Sequence, residues 1–520
     1  MDKKIKSIGK NAAILGIAGI IVKILGALYR IPIVGLIGDE GLGYYQTAYP
    51  IYDMMLAIST AGLPIAISKM VAESVAKESY LNSKKILRLA IYLMGAVGIV
   101  FGFLIYIFAN RLAIFYKNPG AYYSIIALVP AMAISPVLAG MRGYYQGRQI
   151  MAPTAMSQVL VQLFRLISGL VLAGVLVPYG LNLAAGGATL ASGVGALFGL
   201  LYIVLYHFRF RKYLNDELIT GNQNTERSSV IIKEMIKIAL PISIGAAIIP
   251  IMDSIDVYLV MDGLIDVGFT PEEANLRFAW LKGMAQTLIN MPQVISGAIG
   301  VSLIPVIAML KVKNNQEEIS EKVKVGIKLT MLFALPCMFG LFSLSHPIIS
   351  LIYPTTSDMA INGTSVILKI LSFSVVPLML ITVTTSLMQA FGKEKLPVIN
   401  LIVGAIFKII LTIYLTRVPH INVYGAAIGS VVGYLVTIVL NIIAIKKLSG
   451  YKTDKSILIF LIASILMGAC AYGTQMFLGN ITSSKLATLI AILVAAVVYF
   501  GILILTHSIS KKDLEMLRNK

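Results

Sequence analysis

Lys23, Arg30, Arg165, Lys369 and Lys408 stand inside long apolar runs of this 520-residue sequence. A charge at the centre of a bilayer costs at least about 2.5–3.5 kcal/mol on insertion scales. Five such charges require water, counter-charges or an anionic ligand. Lys23 and Arg30 are seven residues apart, so a helix sets them on one face, with Gly26 and Ala27 between them leaving room for close approach. Arg165 and Lys408 follow Pro153 and Pro397 by twelve and eleven residues, at matching places in two separate runs. These types in this pattern suit a cationic cavity that binds phosphate. For Arg30 and Lys369 the alternative is snorkelling to the outer interface. The acids in apolar surroundings are Asp53, Asp253 and Asp256. The last two are three apart and share a helix face. They are either carriers of a coupling proton or sodium ion, or counter-ions for the basic residues.

Motifs for catalysis are missing. The sequence has no GxxxxGK[ST] loop for ATP, no HExxH and no GxSxG. The histidines His207, His346, His420 and His507 fall at run ends and do not cluster. Cys337 and Cys470 both sit in apolar runs, so no disulfide framework or CxxC metal pair is expected. These features predict a protein that is not an enzyme and has no bound cofactor.

The elements that must position these residues follow from composition. Hydrophobic residues make up 58% of the chain and charged residues 13%. A soluble domain carries about 45–50% apolar and about 25% charged residues, so the solvent here is lipid. Apolar runs lie near 10–36, 43–68, 86–110, 119–141, 152–177, 183–206, 238–261, 279–309, 328–348, 362–390, 397–416, 423–445, 456–477 and 485–507. Each can cross about 30 Å of hydrocarbon as a helix, and each is too long for a barrel strand. Lys3, Lys4, Lys6 and Lys10 precede the first run, which continues past signal-peptide length with no clear cleavage site. It is read as the first membrane helix.

The net charge of +19 is spread over short segments between runs, which points to cytoplasmic loops rather than to nucleic acid. With the N-terminus inside, the inner segments hold 32 of the 43 basic residues, and the outer loops hold Arg111, Lys117, Arg277, Lys282, Arg417 and Lys485. Both termini are then cytoplasmic. Tyr44, Tyr45, Tyr122, Tyr123, Tyr144 and Tyr145 fall near the expected interfaces, as an aromatic belt would.

A polar stretch at 209–237 divides the chain. Pro64 and Pro305 end the second and eighth runs, and Pro153 and Pro397 open the fifth and eleventh, at offsets of 241 and 244. Two ordered matches at a near-constant offset indicate a six-helix repeat related by an axis along the membrane normal. The expected fold is all-α: a polytopic membrane protein of 14 transmembrane helices, with two pseudo-symmetric six-helix lobes (1–208 and 238–447), a cytoplasmic linker (209–237), and a last helix pair with a tail (448–520). Pro32, Pro50, Pro64, Pro241, Pro250, Pro292 and Pro305 are candidate helix breaks.

The stretch Lys23-Ile24-Leu25-Gly26-Ala27-Leu28-Tyr29-Arg30-Ile31-Pro32, followed by Ile37-Gly38-Asp39-Glu40-Gly41 and Tyr44-Tyr45-Gln46, resembles the opening of the stage V sporulation protein B branch of polysaccharide exporters. That branch lies in the multidrug/oligosaccharidyl-lipid/polysaccharide superfamily and is similar to the MurJ-like lipid II flippases. The resemblance covers the whole chain. It implies a monomer in the bacterial inner membrane that moves an undecaprenyl-pyrophosphate-linked sugar, lipid II first among them, by alternating access, for peptidoglycan or spore-cortex synthesis. It implies that Lys23 and Arg30 bind the pyrophosphate, and that 456–477 with 485–507 form a groove for the lipid tail. Some relatives hold sodium between the seventh and eleventh helices. Asp253 and Asn400 match that set, while Gly404 stands where the second acid would be. The arginine that relatives carry in the second helix is missing, and Asp53 is the only charge between Tyr44 and Ser68.

Three rivals are separable. Other lipid-linked glycans, of teichoic, capsular or O-antigen type, fit the same cations. A cation-coupled drug exporter needs an acidic cavity, against a balance here of five basic to three acidic residues. A glycosyltransferase using the same lipid needs acids poised at the outer face, for which Asp39, Glu40, Asp262, Asp266, Glu272 and Glu273 are the candidates.

Overall fold

The computed structural model describes residues 2–220, 225–451, 454, 456–479 and 481–506. Among them the chain is helical, with no strand. It divides into two compact units, 1–261 and 262–520.

The first unit holds α1 (Asp2–Thr60), α2 (Gly62–Ala76), α3 (Tyr80–Phe115), α4 (Tyr122–Ile126), α5 (Val129–Gly147), α6 (Ala152–Leu176), α7 (Leu181–Thr220) and most of α8 (Ser228–Asp266). α1 is two helices joined at Gly38, whose φ of 65° and ψ of −173° only glycine adopts cheaply. The expected loop between the first two runs is therefore a single non-helical residue. α3 shows how these helices associate. Ala90, Met94, Gly98, Gly102, Ile105, Ala109 and Ala113 form a buried stripe, while Tyr92, Ile99, Phe103 and Tyr106 are exposed on its outer side. A large exposed apolar face in a folded protein is lipid-facing. Lipid supplies no hydrophobic drive between helices, so small residues must let backbones approach. A Cβ on Gly98 would stand 2.8 Å from the Met132 carbonyl oxygen of α5. α8 is fixed to α2 in the same way: a Cβ on Gly62 would sit 2.1 Å from the Ala239 carbonyl oxygen, and the Gly62 N–H donates to Ser243 Oγ at 3.2 Å.

The second unit holds the end of α8, α9 (Pro271–Phe278), a wide π-type turn over Ala279–Ala285, α10 (Gln286–Asn290), α11 (Gln293–Val312), α12 (Gln316–Ser343), α13 (Ser345–Ile352), α14 (Asp358–Ser372), α15 (Val375–Ala390), α16 (Lys395–Thr416), α17 (Val423–Ser449), α18 (Ser456–Gly479) and α19 (Ser484–Leu505).

Among the described residues, twelve helices are long and apolar enough to cross a membrane, or thirteen if α14 and α15, bent by 47°, form one span. The chain is a multi-pass membrane protein. The fourteen expected from sequence requires residues 14–76 to cross twice, and that 63-residue segment has the length and the Gly38 break to do so.

Several boundaries differ from expectation. The predicted linker is largely helical, since α7 runs on to Thr220 and α8 begins at Ser228. Residues 221–224 of that linker lie outside the described residues, as do His507 and the tail that follows. α8, assigned from sequence to the second lobe, clusters up to Met261 with the first unit. Helices continue through Pro32, Pro50, Pro241, Pro250 and Pro305. Only Pro64 and Pro292 stand beside a break, because a helix tolerates proline where neighbours re-satisfy the freed carbonyl.

Candidate functional site

Arg165 is the centre of the site in the first unit. It lies thirteen residues into α6, about 20 Å from that helix's start at 1.5 Å per residue. Its Nη2 donates to the Tyr45 hydroxyl at 3.0 Å and also to the Tyr49 hydroxyl. Its guanidinium carbon lies 5.7 Å from the Tyr29 ring centroid and 5.0 Å from that of Tyr49, within cation–π range. The phenols are themselves anchored: Tyr29 donates to the Ala188 carbonyl at 3.0 Å, and Tyr49 shares a 2.8 Å hydrogen bond with Ser192. Arg165 Nε is buried and has no hydrogen-bond partner. Among the described residues its direct partners are all neutral, and no carboxylate pairs with it.

Tyr45, Tyr49 and Tyr52 recur every three to four residues, so one face of α1 presents all three. Gly169, one turn beyond Arg165, admits Tyr29; a Cβ there would stand 2.5 Å from the phenol oxygen. Gly26 faces Gln162 Nε2 at 3.3 Å from a would-be Cβ, so the predicted close approach at Gly26 is real and the approaching helix is α6.

Asp53 follows Tyr49 by one turn and is solvent-accessible, while Arg165, Asp253 and Arg30 act on it electrostatically. It therefore borders open space rather than core. The structure thus gathers Arg30, Asp53, Arg165 and Asp253. Asp256, expected to share the face of Asp253, is buried, whereas Asp253 is half-buried. Lys23 is exposed on α1.

Lys369, Lys408 and Asn400 belong to the second unit. Lys369 is exposed in the last turn of α14. Lys408 is half-buried on α16, where a Cβ on Gly433 of α17 would sit 2.9 Å from its own Cβ. Asn400 Nδ2 donates to Asn441 Oδ1 at 2.8 Å, and Asn441 Nδ2 donates to Thr384 Oγ1 at 3.0 Å. That amide chain employs Asn400 within its own unit. No cluster of three or more His, Cys, Asp or Glu able to hold a metal occurs among the described residues.

Two sequence readings need correction. Tyr44, Tyr45, Tyr144 and Tyr145 are buried rather than belt residues, while Tyr123 is exposed as expected. A tyrosine at a run end reads alike whether it meets headgroups or an internal arginine. Arg142 was missed, because the fourth run was ended at 141. The helix continues to Gly147, and Gly143 and Gly147, spaced for a packed seam, were the available signal. Arg142 Nε donates to Ser157 Oγ at 2.8 Å.

Four of the acids expected at the outer face, Glu40, Asp262, Asp266 and Glu273, make structural contacts. Arg417 pairs with Asp262 at 2.5 Å and with Asp266 at 3.0 Å, and Glu273 closes a capping box with Thr270. Glu40 accepts from the Tyr44 hydroxyl at 2.8 Å.

A family model described as polysaccharide biosynthesis protein matches residues 8–311, more than half of the chain. The chain belongs to that family. A second model, MatE, matches residues 282–414 of the chain. It is 26% identical over 516 residues to stage V sporulation protein B of Bacillus subtilis (strain 168), covering 97% of this chain and 96% of that one. It is 27% identical over 510 residues to lipid II flippase MurJ of the same organism, covering 94% and 93%. Its fold matches a structure titled lipid II flippase MurJ, inward closed conformation, with a TM-score of 0.70 at 17% identity over 94% of this chain and 97% of that one. An inward-facing multidrug-resistance MATE transporter matches with a TM-score of 0.66 at 15% identity over 82% and 94%. The family consists of flippases and exporters of lipid-linked precursors, and its members are transporters rather than catalysts.

Proposed function

We propose that this protein flips an undecaprenyl-pyrophosphate-linked sugar precursor, lipid II in the first place, from the inner to the outer leaflet of the bacterial cell membrane by alternating access. It acts as a monomer with both termini in the cytoplasm, and serves peptidoglycan or spore-cortex synthesis. The observation that carries this reading is Arg165: a guanidinium deep in a membrane-spanning bundle, held by neutral phenols and lacking a carboxylate partner. A half-buried guanidinium kept in the membrane without an ion pair is suited to an anion, and the planar fork of arginine suits phosphate. Arg30 adds positive charge on the same side of Asp53. Lys23, Lys369 and Lys408 are the further candidate cations for the substrate, and 456–477 with 485–507 receive the lipid tail. Asp53 and Asp253 are the groups to carry a coupling proton or sodium ion, with Asn400 as the remaining candidate ligand.

The relatives named for lipid II and for sporulation support the substrate class. The MatE match raises drug export as a second reading. Flipping of lipid II in proteoliposomes, with a teichoic-type undecaprenyl glycolipid and a cationic drug as competitors, tests both. Saturable lipid II transport blocked by neither competitor supports the proposal. Transport of the drug alone overturns it.

A further inference from the structure

The site contains a second arginine with unmet hydrogen-bonding capacity, placed differently from the first. Arg142 lies on α5, five residues before that helix ends at Gly147. Its Nε is held by Ser157 Oγ on α6, and Ser157 donates in turn to the Thr154 carbonyl at 2.8 Å. The prop is thus fixed from below. Neither terminal nitrogen of Arg142 makes a hydrogen bond among the described residues, and Nη2 is buried. No carboxylate pairs with it. Leaving a charged donor buried and unsatisfied costs more than the about 1–3 kcal/mol of a neutral one. A fold that keeps it has an acceptor arriving from elsewhere.

Its neighbour is Tyr52, whose ring meets that of Tyr49 edge-on at 5.9 Å; Tyr52 feels the charges of both Arg142 and Arg165. Ser157 and Arg165 are eight residues apart on α6, about 12 Å along its axis. The two arginines are therefore anchored about two turns apart along α6. They form successive positions on one wall, with Tyr52 and Tyr49 between them.

We propose that Arg142 is a second anion-binding residue, which holds the phosphate of the substrate near the cytoplasmic end of α5 before it reaches Arg165. This rests on the reading that a pyrophosphate-bearing lipid is the cargo. The chemistry recognised is a phosphate or pyrophosphate oxygen face, to which a propped guanidinium donates from its two terminal nitrogens.

The test uses the full-length protein and two readouts. In detergent, inorganic pyrophosphate is titrated into wild type, Arg142→Gln, Arg142→Lys and Ser157→Ala, with thermal unfolding of each followed alongside. In proteoliposomes, the rate of lipid II flipping is measured against its concentration. Arg142→Gln is expected to weaken pyrophosphate binding about tenfold and to raise the half-saturating lipid concentration more than it lowers the saturating rate. Arg165→Gln is expected to do the reverse. Arg142→Lys recovers part of the binding, and Ser157→Ala, which removes only the prop, weakens it about threefold. A folded Arg142→Gln protein that binds pyrophosphate and saturates as wild type does overturns the proposal and leaves the flippase reading standing. Wild type that binds no pyrophosphate also overturns it. Arg142-dependent pyrophosphate binding by a protein that moves no pyrophosphate lipid keeps the site and sinks the flippase reading.

Discussion

Arg165 and Lys408 occupy matching positions in the two halves of the sequence, yet their surroundings differ. Both follow the opening proline of their helix, and both lie against a glycine of the next helix: a Cβ on Gly195 would stand 3.2 Å from the Arg165 Cβ, and one on Gly433 would stand 2.9 Å from the Lys408 Cβ. The backbone scaffold is shared. What lies beyond the Cβ is not. Arg165 is walled by Tyr29, Tyr45 and Tyr49, which fix its guanidinium in one orientation. Lys408 stands on α16 beside Gly429 and Gly433 of α17. A repeat can therefore keep a cation in both halves while changing its type, a tyrosine-caged guanidinium in one and an ammonium in the other. Fixed direction suits recognition of phosphate, and a flexible ammonium suits guiding charge along a path.

The largest test of that difference is removal of the charges one at a time. Arg165→Ala is expected to lower lipid II flipping by at least about a hundredfold, in keeping with the 2–5 kcal/mol lost when a buried charged hydrogen-bond network is truncated. Lys408→Ala is expected to lower it about tenfold or less. Proteoliposome flipping rates, with membrane insertion checked for each variant, provide the measurement. Equal losses at both positions would erase the distinction.

Conservative exchange sharpens it further. Arg165→Lys keeps the charge but cannot bond two phenols through one planar fork, so flipping should fall about tenfold. Lys408→Arg has no fork geometry to satisfy and should stay within about threefold of wild type. If the lysine at 165 performs as well as arginine, the tyrosine cage is mere packing.

These contrasts were only partly legible in sequence. Apolar runs and the Pro153/Pro397 offset located both cations and the helices carrying them, because period, length and proline position are local properties. The cage was not legible, since it joins Tyr29, Tyr45 and Tyr49 of α1 to residues more than a hundred positions away. Arg142 escaped for a different reason: a basic residue within a turn of a run's end has the same composition whether it faces headgroups or folds inward. The sodium pairing of Asp253 with Asn400 rested on family resemblance, and the Asn400 amide nitrogen donates to Asn441. Gly38 fell in the gap between the first two apolar runs, and the structure uses it for a one-residue break between two long helices.

The glycine seams under the two cations give a smaller effect. A Cβ at Gly195 would lie 2.4 Å from the Val161 carbonyl oxygen, and one at Gly433 would lie 2.8 Å from the Gly404 carbonyl oxygen. Neither backbone oxygen can swing aside as a side chain would. Alanine at either position should destabilise the protein by about 1–3 kcal/mol, with Gly195→Ala the worse because its clash is deeper. Thermal unfolding in detergent checks the order. A reversed order would mean that the lysine half is the more tightly determined one.

The smallest effect lies outside the membrane-spanning segments, where the halves also differ. In the first unit, Lys85 and Asn82 hold Glu226 through its backbone, so no carboxylate charge is involved. In the second, Asp454 sits before α18 and pairs with Lys324 of α12 at 3.2 Å. Partial burial alone would raise the Asp454 pKa. The Ser456 hydroxyl and backbone N–H, with Lys324, outweigh that and bring it down to about 2. A carboxyl near 3.9 when unfolded and near 2 when folded binds protons more readily in the unfolded chain. Its contribution is then complete above about pH 4 and disappears as pH falls through about 2. Lys324 is 43% exposed, so salt screens the pair and the whole contribution is about 1 kcal/mol or less. Asp454→Asn should lower stability at pH 7 by that amount and flatten its fall between pH 4 and 2, while Glu226→Gln should change neither. Equal pH profiles for the two variants would show that both units are pinned by the same kind of contact.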